Sequence, residues 1–303
     1  MNLQRMLNSR GAGIWALRIS KFLSPAAGRS FSRLVAAGIA SQRQLPLVRA
    51  IRLNRWVVSA GSLSASELDA AARLTLGNIA RSFYTLFHYI DDPAGMQRQV
   101  AFTPWLEALI ARSQEKKHGL VVAGVHMSNF DLVMQAAGYH GLHGLALTLP
   151  DRSENSEAVE WQHAFRRLSG IELLPASLPN FRQAIRRLQD GECVLTGVDR
   201  PLSVAKYRPL FFGKPAHVPV HYVQLALAAK VPLMVFAAMQ DAQGIYQIFG
   251  TDEITLQPNS DHQSELLCNA ERVLDVAASY IRQAPEQWSI TLPAWPDLLP
   301  EMQ

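Results

Sequence analysis

Residues 120–131 read LVVAGVHMSNFD: a short apolar run, then a histidine, an asparagine and an aspartate within six positions. The run does not alternate and is too short for a buried helix, so it reads as a strand covered on both faces. The apolar LVMQAAG that follows, residues 132–138, continues as a helix. The stretch is therefore a strand end, a turn and a helix start, with His126 leaving the strand and Asp131 entering the helix. In open α/β sheets, ligands bind outside the carboxyl ends of the strands. A histidine at that place, oriented by a carboxylate, is suited to take a proton from a hydroxyl. The spacing H-x-x-x-x-D has a structural explanation as well: a histidine closing a strand and an aspartate capping a helix N-terminus.

Further runs of the same kind follow at LALTL (145–149), ECVLTGV (192–198) and PLMVFAA (232–238), with a shorter strand-like IELLP at 171–175. Helical spacing separates them: Ala158, Trp161, Phe165 and Leu168 on one helix, then Phe181, Ala184, Ile185 and Leu188 on another. Upstream, Ser64 and Glu67 spell a capping box before Leu68, Ala72, Leu76, Ile79, Phe83, Leu86 and Ile90, and Asp92-Pro93 ends that helix. A second box, Ser260 to Gln263, opens a late helix through Leu266, Val273, Ala277 and Ile281. The rhythm is that of an α/β fold, a mostly parallel sheet covered by helices, with residues 61–303 forming one domain. At 303 residues and 49% hydrophobic, the chain is long enough to bury a large core.

The N-terminal 60 residues differ in charge. No Asp or Glu occurs before Glu67, while ten basic residues do, which leaves the rest of the chain at net −6. Ile14, Trp15, Leu17, Phe22, Phe31, Leu34 and Val35 alternate with Arg18, Lys21, Arg29 and Arg33, and no run approaches the ~18 uncharged residues of a membrane span. The expectation is an N-terminal arm of basic amphipathic helices, residues 1–60, lying on an anionic membrane surface. A transit peptide, a nucleic-acid-binding helix and an ordinary docked helix share this pattern. The only cysteines, Cys193 and Cys268, argue for a reducing compartment and against a disulfide framework.

Several blocks in order, from about residue 64 to the C-terminus, resemble the bacterial lipid A late acyltransferases and phosphatidylinositol mannoside acyltransferases, within the lysophospholipid acyltransferase group. They are HMSNFD (126–131), PDRSENSEAVEWQHAFRRLSGIELLP (150–175), FRQAIRRLQDGECVLTGVDR (181–200), PLFFGKPAHVP (209–219) and APEQWSITLPAW (284–295). The resemblance implies transfer of a fatty acyl chain from acyl carrier protein or acyl-CoA to a hydroxyl of a membrane glycolipid or phospholipid. His126 would be the general base and Asp131 its orienting partner. Asn129, Arg152, Asp199 and Arg200 fall on family positions at the substrate site, with Asn129 expected to hold the turn and Arg152 to hold a phosphate. No cofactor and no metal are implied. The chain would be peripheral on the cytoplasmic face of the cell membrane, its partners an anionic surface, a lipid acceptor and an acidic carrier protein, with no nucleic acid. Two departures stand out: Pro201 occupies the place where many relatives have a second acid, and Ser128 stands where a glycine is common.

Other constellations are weaker. His217 and His221 have i, i+4 spacing, but Pro219 lies between them and no glutamate follows the first, as a zinc protease would need. His140 and His143 read as a polar loop. Arg182, Arg186 and Arg187 suit either an acidic carrier protein or a solvated helix face. The acyltransferase reading has two competitors: a non-catalytic lipid-binding protein of the same fold, and an esterase using the same groups with water.

Overall fold

The computed structural model describes residues 10–148 and 171–301. In chain order the elements are α1 (Arg10–Phe22), α2 (Pro25–Ala40), α3 (Pro46–Val58), α4 (Ala65–Tyr89), α5 (Pro93–Gln97), α6 (Pro104–Glu115), β1 (Leu120–Val125), α7 (Phe130–Tyr139), β2 (Leu145–Thr148), β3 (Glu172–Pro175), α8 (Leu178–Gln189), β4 (Cys193–Gly197), β5 (Leu210–Phe211), β6 (Lys214–Pro215), α9 (His221–Ala229), β7 (Leu233–Gln240), β8 (Tyr246–Gly250) and α10 (His262–Gln283). Six of the strands form one sheet in the order β3-β2-β4-β1-β7-β8. Its pairs are parallel except β7 with β8. The expected mostly parallel α/β sheet is present, and IELLP forms its edge strand. The antiparallel strand β8 was not anticipated; its YQIFG is short and half-polar, and pairing with β7 is what makes it a strand.

The strands at the centre are buried on both faces, which explains their unbroken hydrophobicity. Val121, Ala123 and Val125 of β1 pack with α3, α8, α9 and α10 on one side. Leu120 and Val122 pack with α4, α6 and α7 on the other. Both bonds of the Ser64 and Glu67 capping box are present at the start of α4. The second box is corrected: α10 is capped by Asp261, whose carboxylate accepts from Ser264 N at 2.7 Å. One residue beyond Ser260, an anionic acceptor sits on the positive end of the helix dipole and takes the cap. The helix expected around Ala158 to Leu168 lies outside the described residues.

Two of the basic N-terminal helices dock on α4. Tyr84 donates its hydroxyl to Leu23 O at 2.9 Å, and Lys21 pairs with Asp91. Ala36 and Ala40 of α2 share a small cluster with Val48, Ile51, Ala72 and Leu76. The next helix, α3, goes further: Leu53 and Val57 belong to the same cluster as the sheet. Its Asn54 clamps the C-terminal segment, donating to Leu292 O at 2.9 Å and accepting from Ala294 N at 3.0 Å. No described helix is long and apolar enough to cross a membrane. Trp15, Phe22, Phe31 and Leu34 are nevertheless exposed, Phe22 by 88% and Leu34 by 72%.

Candidate functional site

Strands β1 and β4 are neighbours, and their onward connections run over opposite faces of the sheet: α7 packs with Leu120 and Val122, α9 with Val121 and Ala123. That divergence opens a crevice at the carboxyl ends of the two strands. His126 leaves β1 there, and Asp199 stands two residues beyond the end of β4. The Asp199 carboxylate is fully buried and accepts from three N–H groups. They are His126 Nδ1 at 2.6 Å, the His126 backbone N at 3.1 Å and Trp288 Nε1 at 2.7 Å. A buried carboxylate is costly unless its lone pairs are satisfied, and here two of the three donors belong to His126, so the same bonds fix its ring and its backbone. The side chain of His126 is 17% exposed, and Phe130 meets its ring edge-on at 4.6 Å between centroids. Gly197, paired across from Gly124, leaves the room: a Cβ at that position would overlap His126 Cε1.

The turn after His126 is held by the C-terminal block. Met127 bridges to Trp288, Ser289 N donates to His126 O at 2.8 Å, and Ser128 N donates to Gln287 O at 2.6 Å. Ser128 has φ +51°, a left-handed conformation, which gives a physical reason for glycine to be favoured there. Asn129 caps α7 through Oδ1, and its Nδ2 donates to Ser82 O at 2.9 Å. It therefore binds the turn to α4.

Beneath the histidine an apolar pocket runs between α7 and the sheet, lined by Met134, Ala146, Leu147, Leu173, Leu195 and Phe236, with His126, Asp131 and Arg200 among its polar residues. Asp131 stands in the first turn of α7. Arg152 lies outside the described residues. The structure thus brings His126, Asp131 and Arg200 to one pocket and puts Asp199, expected at the substrate, on the imidazole itself. Sequence reasoning passed over Gln135, a 3% exposed residue in the pocket wall whose amide has no partner among the described residues. A single glutamine in an apolar helix carries no pattern that would have singled it out. The role of Trp288 was visible only as part of the APEQW block.

Burial pushes the Cys193 thiol up to about 11, so it stays protonated at neutral pH. His221 is buried against Thr196 and Phe181, and desolvation holds it down to about 4. His217 lies 3.4 Å from Asp297. Arg187 pairs with Glu172 and Glu192, while Arg182 and Arg186 are exposed on α8.

The sequence model of one protein family, the bacterial lipid A biosynthesis acyltransferases, matches residues 77–296. Two curated relatives, phosphatidylinositol mannoside acyltransferases from Mycobacterium tuberculosis strains CDC 1551 / Oshkosh and ATCC 25618 / H37Rv, are each 24% identical over 181 residues. The alignment covers 58% of this chain and 54% of each relative, so the chain spans about half the length of the curated relatives it matches.

Proposed function

Because the chain belongs to the bacterial lipid A biosynthesis acyltransferase family, we propose that it moves a fatty acyl group from a thioester, acyl carrier protein or acyl-CoA, to a hydroxyl of a membrane glycolipid or phospholipid. The observation that carries the reading is the bond between His126 Nδ1 and the buried Asp199, at the mouth of an apolar pocket. A carboxylate that accepts from Nδ1–H leaves the lone pair on Nε2, the nitrogen a general base uses. The orienting role expected of Asp131 therefore passes, in this proposal, to Asp199, with Trp288 holding the carboxylate from its other side. Asp131 and Arg200 are left to meet the polar ends of the substrates, and the pocket takes the acyl chain.

In the proposed step, His126 Nε2 accepts the proton of the acceptor hydroxyl as its oxygen attacks the thioester carbonyl. Collapse of the tetrahedral intermediate breaks the carbon–sulfur bond, and the imidazolium returns the proton to the departing thiolate. The carboxylate stabilises the imidazolium in between. No cofactor enters, since the donor carries its own activated carbonyl. The exposed apolar residues of α1 and α2, with their arginines, support contact with an anionic surface, where each charge near the surface adds about 1 kcal/mol. A donor in the cytoplasm places that surface on the cytoplasmic face of the cell membrane. Arg182 and Arg186 are the candidates for contact with an acidic carrier protein.

Release of free thiol from an acyl thioester, measured with and without lipid acceptor, tests the reading. Transfer requires the acceptor; release of free fatty acid without it would make the chain an esterase, and no release would favour a lipid-binding protein. Both H126A and D199N should lower turnover by at least ~10², the usual scale for general-base assistance. Wild-type turnover in D199N, alongside loss in D131N, would return the orienting role to Asp131.

A further inference from the structure

Strand β1 leaves the sheet at Val125, which pairs with Ala237, but β7 runs on through Ala238 and Met239 to Gln240. On its other side Gln240 pairs with Tyr246 of β8. Past the end of β1, the main chain of Gln240 would present an unpaired strand edge, and such groups need partners. The side chain of Gln287 supplies both: its Oε1 accepts from Gln240 N at 2.7 Å, and its Nε2 donates to Gln240 O at 3.0 Å. One amide thus takes the place of the next residue of a strand, carried by a short helical turn, Pro285–Gln287, that is not a strand.

Gln287 opens a run of residues that holds both the histidine and its carboxylate. Gln287 O accepts from Ser128 N at 2.6 Å, Trp288 Nε1 donates to Asp199 Oδ2 at 2.7 Å, and Ser289 N donates to His126 O at 2.8 Å. Ser289 Oγ adds a bond to Ser128 O at 3.0 Å. On the side of α4, Asn78 Nδ2 donates to Glu286 O at 2.8 Å. The segment therefore grips His126 by the main chain and Asp199 by an indole, and the Gln287 amide is what ties it to the sheet. Two groups delivered by different strands depend together on where one short segment lies. Reacting geometry tolerates little displacement, since a shift of about 1 Å can cost on the order of 10² in rate.

We infer that Gln287 is a positioning residue for the pair of His126 and Asp199. Its side chain bonds to neither; it acts by fixing Trp288 and Ser289 against the end of β7, so that indole and main chain set carboxylate and imidazole in place. Its effect on turnover rests on the reading of His126 as the general base, whereas its effect on the geometry of the pair is measured without turnover.

The test uses the full chain with Q287L, which keeps the bulk of the side chain and removes both bonds, and Q287E, which keeps the acceptor for Gln240 N and loses the donor to Gln240 O. The proton between His126 Nδ1 and Asp199 is followed by NMR as a downfield signal, assigned by its absence in H126A. Turnover is followed as thiol release from palmitoyl-CoA with a total bacterial lipid extract as acceptor. In Q287L the signal should broaden or vanish, and kcat should fall about tenfold or more with KM within about twofold; Q287E should recover part of both. A core change in the separate cluster of α2, α3 and α4, I51A, should leave signal and kcat as in wild type. Thermal unfolding establishes that each variant is folded, and Q287E carries the experiment if Q287L is not. An unchanged signal in a folded Gln287 variant, or an equal loss in I51A, would overturn the inference. Loss of the signal in Q287L, with no thiol release even from wild type, would keep the positioning role and strike the acyl-transfer reading instead.

Discussion

Helices α2 and α3 have nearly the same sequence character and different fates. Both begin on a proline, both carry arginines and no acid, and both are amphipathic. In α3, Ile51 and Leu53 are 1% and 0% exposed, and Asn54 ties the helix to the segment that leads back to Trp288. In α2 the buried residues are small, Gly28, Ser32, Ala36 and Ala40, and the large ones face outward. The difference teaches that an amphipathic pattern announces an apolar face without saying what covers it. Small residues let α2 approach α4 closely while its bulk is left for another surface; leucine and isoleucine in α3 fill the protein's own core.

Truncation should expose that difference most strongly. A chain beginning at Ser62 loses Leu53, Val57 and the Asn54 clamp, and we expect it to lose its cooperative unfolding transition. A chain beginning at Gln42 keeps α3 and should unfold cooperatively with the His126 site intact, yet bind anionic vesicles far more weakly. Its remaining binding should depend less on salt, because charges beyond roughly 8 Å are screened at physiological ionic strength. Cooperative unfolding of the shorter chain, followed by circular dichroism, would break the comparison.

Point substitutions sharpen it. Leu53→Ala should destabilise by about 2–5 kcal/mol, the range for a buried leucine, and Leu34→Ala by no more than about 0.5 kcal/mol. Denaturant titrations of the two variants would show it, and equal losses would mean that Leu34 is covered in solution. The smallest effect is expected at the turn after His126: Ser128→Gly should stabilise by up to ~1 kcal/mol by relieving the left-handed backbone, with turnover unchanged. A loss of stability would mean the serine hydroxyl does more than tolerate its conformation.

The strand-turn-helix around His126 was legible because everything that makes it is local. An unbroken apolar run, a polar turn and a helical period declare themselves within a dozen residues, and the capping box at Ser64 did so in four. The box at Ser260 misled by one residue because two good caps stood side by side and only the geometry of the first turn chose between them. Strand β8 escaped notice because its pairing with β7 defines it.

From the amino-acid order alone came the sheet's class, the histidine proposed as general base, the charge asymmetry of the first 60 residues and the resemblance that the family match bears out. Which carboxylate touches the imidazole was decided only in three dimensions. Asp131 is five positions from His126 in the chain, but a helix start carries it into the pocket wall, whereas parallel pairing in the register Gly124 to Gly197 delivers Asp199 from 73 residues away to 2.6 Å. The same holds for α3, whose Leu53 and Val57 join the core of the sheet. Periodicity and capping are properties of neighbours along the chain, while the partner of a buried charge is set by which strands and helices come to lie side by side.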